Sequence, residues 1–118
     1  MAVKRMVANL ATDSPSATAR FYRDLLELDV VMDHGWIVTL ASDEVARVQL
    51  SLAIEGGSGT PVPDLSIEVD DLEHVLGRVE SMQLPIVYGP VSEPWGVRRF
   101  FIRDPNGKLL NMLSHEQG

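Results

Sequence analysis

Two stretches of this 118-residue chain follow one order of elements, strand, helix, then three strands, and Asp13 and Asp70, which open the two helices, lie 57 residues apart. An internal repeat of this kind constrains the fold more than any other feature. Each unit covers one sheet face with its own helix and leaves the opposite face in need of a partner. Two such faces curved toward each other enclose a cleft. The expected fold class is therefore α+β, two βαβββ modules forming a curved mixed sheet around a cleft, within a single domain: module one 1–55, a connector 56–63 and module two 64–118.

In module one, Lys4–Leu10 reads as a strand, and Asp13-Ser14-Pro15 offers a side-chain oxygen to cap a helix and a proline at its first position. Ala17, Phe21, Leu25 and Leu28 fall on one face of that helix, with Arg20, Arg23, Asp24 and Glu27 mainly toward the other. Val30–Met32, Trp36–Leu40 and Val45–Ile54 are strands, joined by turns at Asp33-His34-Gly35 and Ser42-Asp43-Glu44. In the third of these, Val48, Leu50, Leu52 and Ile54 alternate with Gln49, Ser51 and Ala53. Glu55–Pro63 holds three of the nine glycines and two of the seven prolines, so it reads as a loose linker that lets the modules pair within a chain or swap between chains.

Module two repeats the pattern. Leu65, Ile67 and Val69 alternate with Asp64, Ser66 and Glu68, and Asp70 with Glu73 makes a capping-box-like helix start. Leu72, Val75, Leu76, Val79 and Met82 give that helix its apolar stripe, and Pro85 is expected to close it. Ile86–Tyr88, Val97–Arg103 and Leu109–Leu113 complete the module, the last two joined by the turn Asp104-Pro105-Asn106-Gly107.

Composition narrows the chemistry. With no cysteine, disulfides, thiolate metal sites and cysteine nucleophiles are excluded. A net charge of −7 disfavours nucleic acid and anionic membrane surfaces as partners. No apolar run approaches a bilayer span and no signal-peptide pattern opens the chain, so a cytoplasmic protein is expected. Arg98, Arg99, Arg103 and Lys108 concentrate positive charge late in the chain, either to draw in an anionic ligand or as a solvated strand face.

Phe21-Tyr22-Arg23-Asp24-Leu25-Leu26, Val69-Asp70-Asp71, Trp95-Gly96-Val97-Arg98-Arg99-Phe100 and Asp104-Pro105-Asn106-Gly107 come in an order and at a spacing that resembles the vicinal oxygen chelate superfamily of glyoxalases, extradiol dioxygenases and bleomycin-resistance proteins. The resemblance covers nearly the whole chain. It implies paired modules around a cleft and commonly a homodimer, whose enzymatic members hold a divalent ion with His and Glu from four inner strands. Carried over, those four positions fall on Met6 or Val7, on Gln49 or Ser51, on Asp64 and on Asn111. One carboxylate among four suits a catalytic ion poorly. His34, His74 and His115 show no ligand-pair spacing, although His34, in a turn beside Gly35-Trp36, stands where a cleft mouth would be.

The expected function is thus metal-free binding of a small aromatic or amphipathic molecule, for resistance or sequestration, with no cofactor. Trp36 and Trp95 would stack on the ligand, while Gln49, Ser51, Asp64, Arg98 and Asn111 orient it. Glu93 could instead claim Arg98 as a structural ion pair. The alternative is a glyoxalase-family lyase or dioxygenase with an unusual metal site around Asp64, or a metal-free acid–base catalyst using Asp64 or Glu68.

Overall fold

The computed structural model describes residues 8, 10–44, 51 and 53–116. The strands expected at Lys4–Leu10 and Val45–Ile54 lie largely outside the described residues, as do Met6, Val7 and Gln49. Ser51, Ala53 and Ile54, at the end of the second, have no regular secondary structure. The described elements are α1 (Pro15–Leu26), β1 (Asp29–Asp33), β2 (Val38–Ala41), β3 (Leu65–Glu68), α2 (Leu72–Ser81), β4 (Tyr88–Ser92), β5 (Val97–Arg103) and β6 (Leu109–His115).

The β1–β2 pair is an antiparallel hairpin. The other strands form one mixed sheet in the order β3-β6-β5-β4, with β3 parallel to β6 and the remaining pairs antiparallel. The fold is α+β, and β3-α2-β4-β5-β6 forms a complete βαβββ unit.

Alternation along the strands sorts their side chains. Phe100, Ile102, Leu110 and Met112 are fully buried on the helix side, packed with Phe21, Tyr22 and Leu25 of α1 and with Leu72, Val75 and Val79 of α2. Burying each large apolar side chain contributes about 1.5–3 kcal/mol. The opposite face carries Ser66, Arg99, Phe101 and Asn111.

Several local details differ from the sequence expectation. Pro15 does open α1, but the capping residue Ser14 makes no side-chain bond to the helix. Its own N–H goes to Thr12 Oγ1 at 3.1 Å. The buried stripe of α1 is Thr18, Phe21, Tyr22 and Leu25, and Ala17 is exposed. Thr18 can turn inward because its hydroxyl bonds Thr12 Oγ1 at 2.7 Å.

The second helix is capped by Asp71, whose side chain accepts the His74 N–H at 3.1 Å. It ends at Ser81, before Pro85, where Gln83 takes a left-handed conformation and Leu84 N–H bonds Val79 O at 3.0 Å. The strand expected at Ile86–Tyr88 is displaced to Tyr88–Ser92. It runs through Gly89-Pro90 because β4 is an edge strand with a register shift between Tyr88 and Val91, a place where proline's missing N–H costs no ladder bond.

Nor is the connector loose. Gly56 N–H bonds Thr60 O at 2.8 Å, closing a turn, and Arg99 donates to the Gly56 and Gly57 carbonyls at 2.7 and 3.2 Å. No helix among the described residues is long and apolar enough to cross a membrane.

Candidate functional site

A groove of about 1240 Å³ opens between α1, the β1–β2 hairpin and β3. The α1 flank offers Thr18, Tyr22 and Leu26, the hairpin offers Trp36 to Leu40, and β3 offers Leu65 to Glu68. Its walls mix aliphatic carbon with the hydroxyls of Thr39, Ser42 and Ser66, and its charged described lining residues are Glu44, Glu68 and Asp70. Such a mixture suits an amphipathic organic molecule. Trp36 stands at this groove with 78% of its surface exposed, stacked on the His34 ring at 6.5 Å and 17°. The turn that presents both rings is fixed by Gly35 N–H on Asp33 Oδ1 and by His34 N–H on Ile37 O.

Behind α1, the Tyr22 hydroxyl donates to Asp104 Oδ2 at 2.8 Å. Burial above all, then this hydrogen bond and the nearby Asp104 and Asp64 charges, push the Tyr22 phenol far above its ordinary value, so it remains a donor. Asp104 also accepts the Asn106 and Lys108 N–H groups, so one buried carboxylate both shapes the β5–β6 turn and ties it to α1.

On the sheet face away from the helices, Asn111 Nδ2 donates to Ser66 Oγ at 3.0 Å across the β3–β6 pair. Asn111 is 7% exposed, and its Oδ1 is buried without a partner. Farther along β5, the Arg99 guanidinium lies 4.8 to 5.4 Å from the ring centres of Phe101, Trp95 and Tyr88 and donates to Glu93 Oε2 at 2.7 Å. Burial pushes the Glu93 carboxyl up. Hydrogen bonds from Ser58 and Tyr88 and the Arg99 charge outweigh this and hold it below its ordinary value.

Of the residues singled out from sequence, Trp36 lines the groove, and Asn111 adjoins it through Ser66. Trp95 stands at the β4–β5 turn, 52% exposed and packed on Arg99. Arg98 points to the helix side, where its Nε donates to Glu73 Oε1 at 2.8 Å; Glu93 pairs with Arg99 instead. Asp64 clamps the starts of β3 and β6, its Oδ2 accepting Leu109 N–H at 2.7 Å and its own N–H bonding Leu109 O. Ser51 is exposed, and Gln49 lies outside the described residues. The cluster of Arg99 with Tyr88 and Phe101 is not among the residues singled out from sequence. The signal was available, since alternation from Val97 puts Arg99 and Phe101 on the face opposite Phe100 and Ile102.

A family-type divalent ion does not fit this donor set. Met6 and Val7 offer a thioether or an alkyl group, Gln49 and Ser51 are neutral, the Asp64 carboxylate is committed to the backbone, and Asn111 is an uncharged amide. Among the described residues no three His, Asp or Glu side chains group closely enough to hold an ion.

A family model described as the Glyoxalase/Bleomycin resistance protein/Dioxygenase superfamily matches residues 5–112. No curated protein matches the chain. Among solved structures, the chain is similar to TnmS3, an antibiotic binding protein from Streptomyces sp. CB03234, with 18% identity over 98% of this chain and 99% of that one and a TM-score of 0.69. It is similar to TioX from Micromonospora sp. ML1, with 18% identity over 98% of each chain and a TM-score of 0.65. It is also similar to lactoylglutathione lyase from Agrobacterium tumefaciens, with 20% identity over 89% of this chain and 88% of that one and a TM-score of 0.63. At these identities the likeness is one of fold.

Proposed function

This chain belongs to the Glyoxalase/Bleomycin resistance protein/Dioxygenase superfamily, and from that premise we propose that it binds a small aromatic or amphipathic organic molecule in the groove, without a metal, and sequesters it in the cytoplasm. The observation that carries the proposal is a largely exposed indole, Trp36, beside a groove of about 1240 Å³ with aliphatic and hydroxyl walls. A planar ligand stacked on that ring gains buried area and about 0.5–1.5 kcal/mol of ring–ring attraction. An antibiotic binding protein of the same fold, TnmS3, lends support by analogy. A lyase or dioxygenase centred on Asp64 has less to rest on, because that carboxylate already serves the Leu109 N–H.

The same proposal includes a homodimer. All of β1 is exposed, with Val30, Val31 and Met32 as apolar surface beside Trp36, an area that a second copy can cover. Light scattering should give twice the 13.0 kDa mass of one chain.

The test pairs metal analysis of untagged protein with titration of planar aromatic antibiotics. Expected are substoichiometric transition metal and saturable binding that Trp36→Ala weakens by about tenfold. A stoichiometric metal, or binding indifferent to Trp36→Ala, overturns the proposal.

A further inference from the structure

We propose that Ser66, oriented by Asn111, is the specificity-determining hydrogen-bond donor of the groove and selects planar molecules that present an uncharged carbonyl oxygen to β3. The inference rests on the groove being a small-molecule site. Ser66 is exposed and lines the groove, while its β6 partner Asn111, beside it on the same sheet face, is nine-tenths buried.

A hydroxyl carries one proton and two lone pairs. Because Asn111 Nδ2 donates to Ser66 Oγ at 3.0 Å, one lone pair is filled, and the Ser66 proton is free to turn to an acceptor in the groove that the residue lines. Phe101, fully buried and opposite Asn111 on β5, keeps water from the amide, so the orientation is held in a low dielectric. The remaining need of the donor is an acceptor on the ligand. The charged described residues lining the groove are all acidic, Glu44, Asp70 and Glu68, the last 3.3 Å from His115 Nδ1, so a carboxylate is disfavoured there and a ketone, quinone or lactone oxygen is the matching group.

Three probes of one tricyclic outline test this: 9-fluorenone with a carbonyl, carbazole with an N–H and fluorene with a methylene at the same position. Fluorescence titration of the wild-type chain should favour fluorenone over fluorene by about three- to tenfold. Ser66→Ala should abolish that preference and Ser66→Thr should restore it, a rescue that a purely structural role would not produce. Asn111→Asp should reverse the order of fluorenone and carbazole, because a carboxylate takes the Ser66 proton and leaves only lone pairs facing the ligand. Should Asn111→Asp fail to fold, the two Ser66 variants, which alter an exposed hydroxyl, decide the matter. A fluorenone preference that survives Ser66→Ala, or carbazole ranking first in the wild type, overturns the inference while leaving the groove a binding site. No saturable binding of any of the three overturns the groove reading and this inference together.

Discussion

The Arg99 guanidinium and the Glu93 carboxylate meet at 2.7 Å with each side chain only 3% exposed. Neither charge is left to water. The same arginine holds the Gly56 and Gly57 carbonyls and the same carboxylate holds the Ser58 and Tyr88 hydroxyls, so one ion pair fastens the connector to β4 and β5. Arg99→Met strands the carboxylate and should cost about 3–5 kcal/mol in urea unfolding. Cleavage of the connector by a nonspecific protease should quicken in parallel; an unchanged unfolding midpoint would show that the pair carries no net stability.

The pH dependence of that pair has a definite sign. Glu93 is held below its ordinary value of 4.5, so its folded state binds a proton less readily than the unfolded chain does. Its contribution is fully present above 4.5 and is lost as pH falls through the lower folded value. The stability difference between the wild type and Glu93→Gln should therefore stay constant from neutrality down to about pH 5 and shrink at lower pH. A difference that widens on acidification would contradict the assignment.

Tyr22→Phe removes the donor to Asp104 Oδ2 from a buried position while keeping the ring. The expected loss is about 1–3 kcal/mol in thermal or urea unfolding, because an acceptor is left unsatisfied. Since the phenol lies far above its ordinary value, the ultraviolet signal of Tyr22 ionisation should appear only with alkaline unfolding.

Two connector glycines make a matched pair. Gly57 has φ +87° and a methyl there would come within 2.6 Å of Trp95 Cη2, whereas Gly59 has φ +75° and open space around it. Gly59→Ala should cost only the left-handed backbone strain, about 1–2 kcal/mol. Gly57→Ala should cost more and also displace the indole, seen as a shift in tryptophan emission that Gly59→Ala does not produce.

The parts of this fold legible in sequence are those governed by short-range periodicity. Strand β5 coincides with the β-rich run Val97–Arg103, bounded by Gly96 and Asp104, and the β5–β6 turn follows from Asp104-Pro105-Asn106-Gly107. One departure is purely local, Asp71 rather than Asp70 serving as cap through the His74 N–H; the others arise where a tertiary partner decides between near-equal local choices, Thr18 rather than Ala17 facing inward and β4 carried through Gly89-Pro90 by its place at the sheet edge. In the candidate site, Trp36 could be singled out because an indole beside glycine at a strand end suits an exposed wall. Ser66 and Glu68 were legible as cavity-lining types on an alternating strand, but the bond from Asn111 to Ser66 was not, since the two lie 45 residues apart. Arg99 was obscured by its neighbour Arg98, because composition cannot tell which of two adjacent cations meets a buried acid.

The parallel pairing of β3 with β6 also sets an order on folding. On the ribosome, β3 emerges well ahead of the strand that pairs with it, Leu65 waiting for Leu110, so through the synthesis of α2, β4 and β5 its backbone lacks that ladder. Nascent chains stalled before β6 should consequently be the species that chaperones hold and that self-associate when crowded, making the timing of one late strand the point at which yield is won or lost.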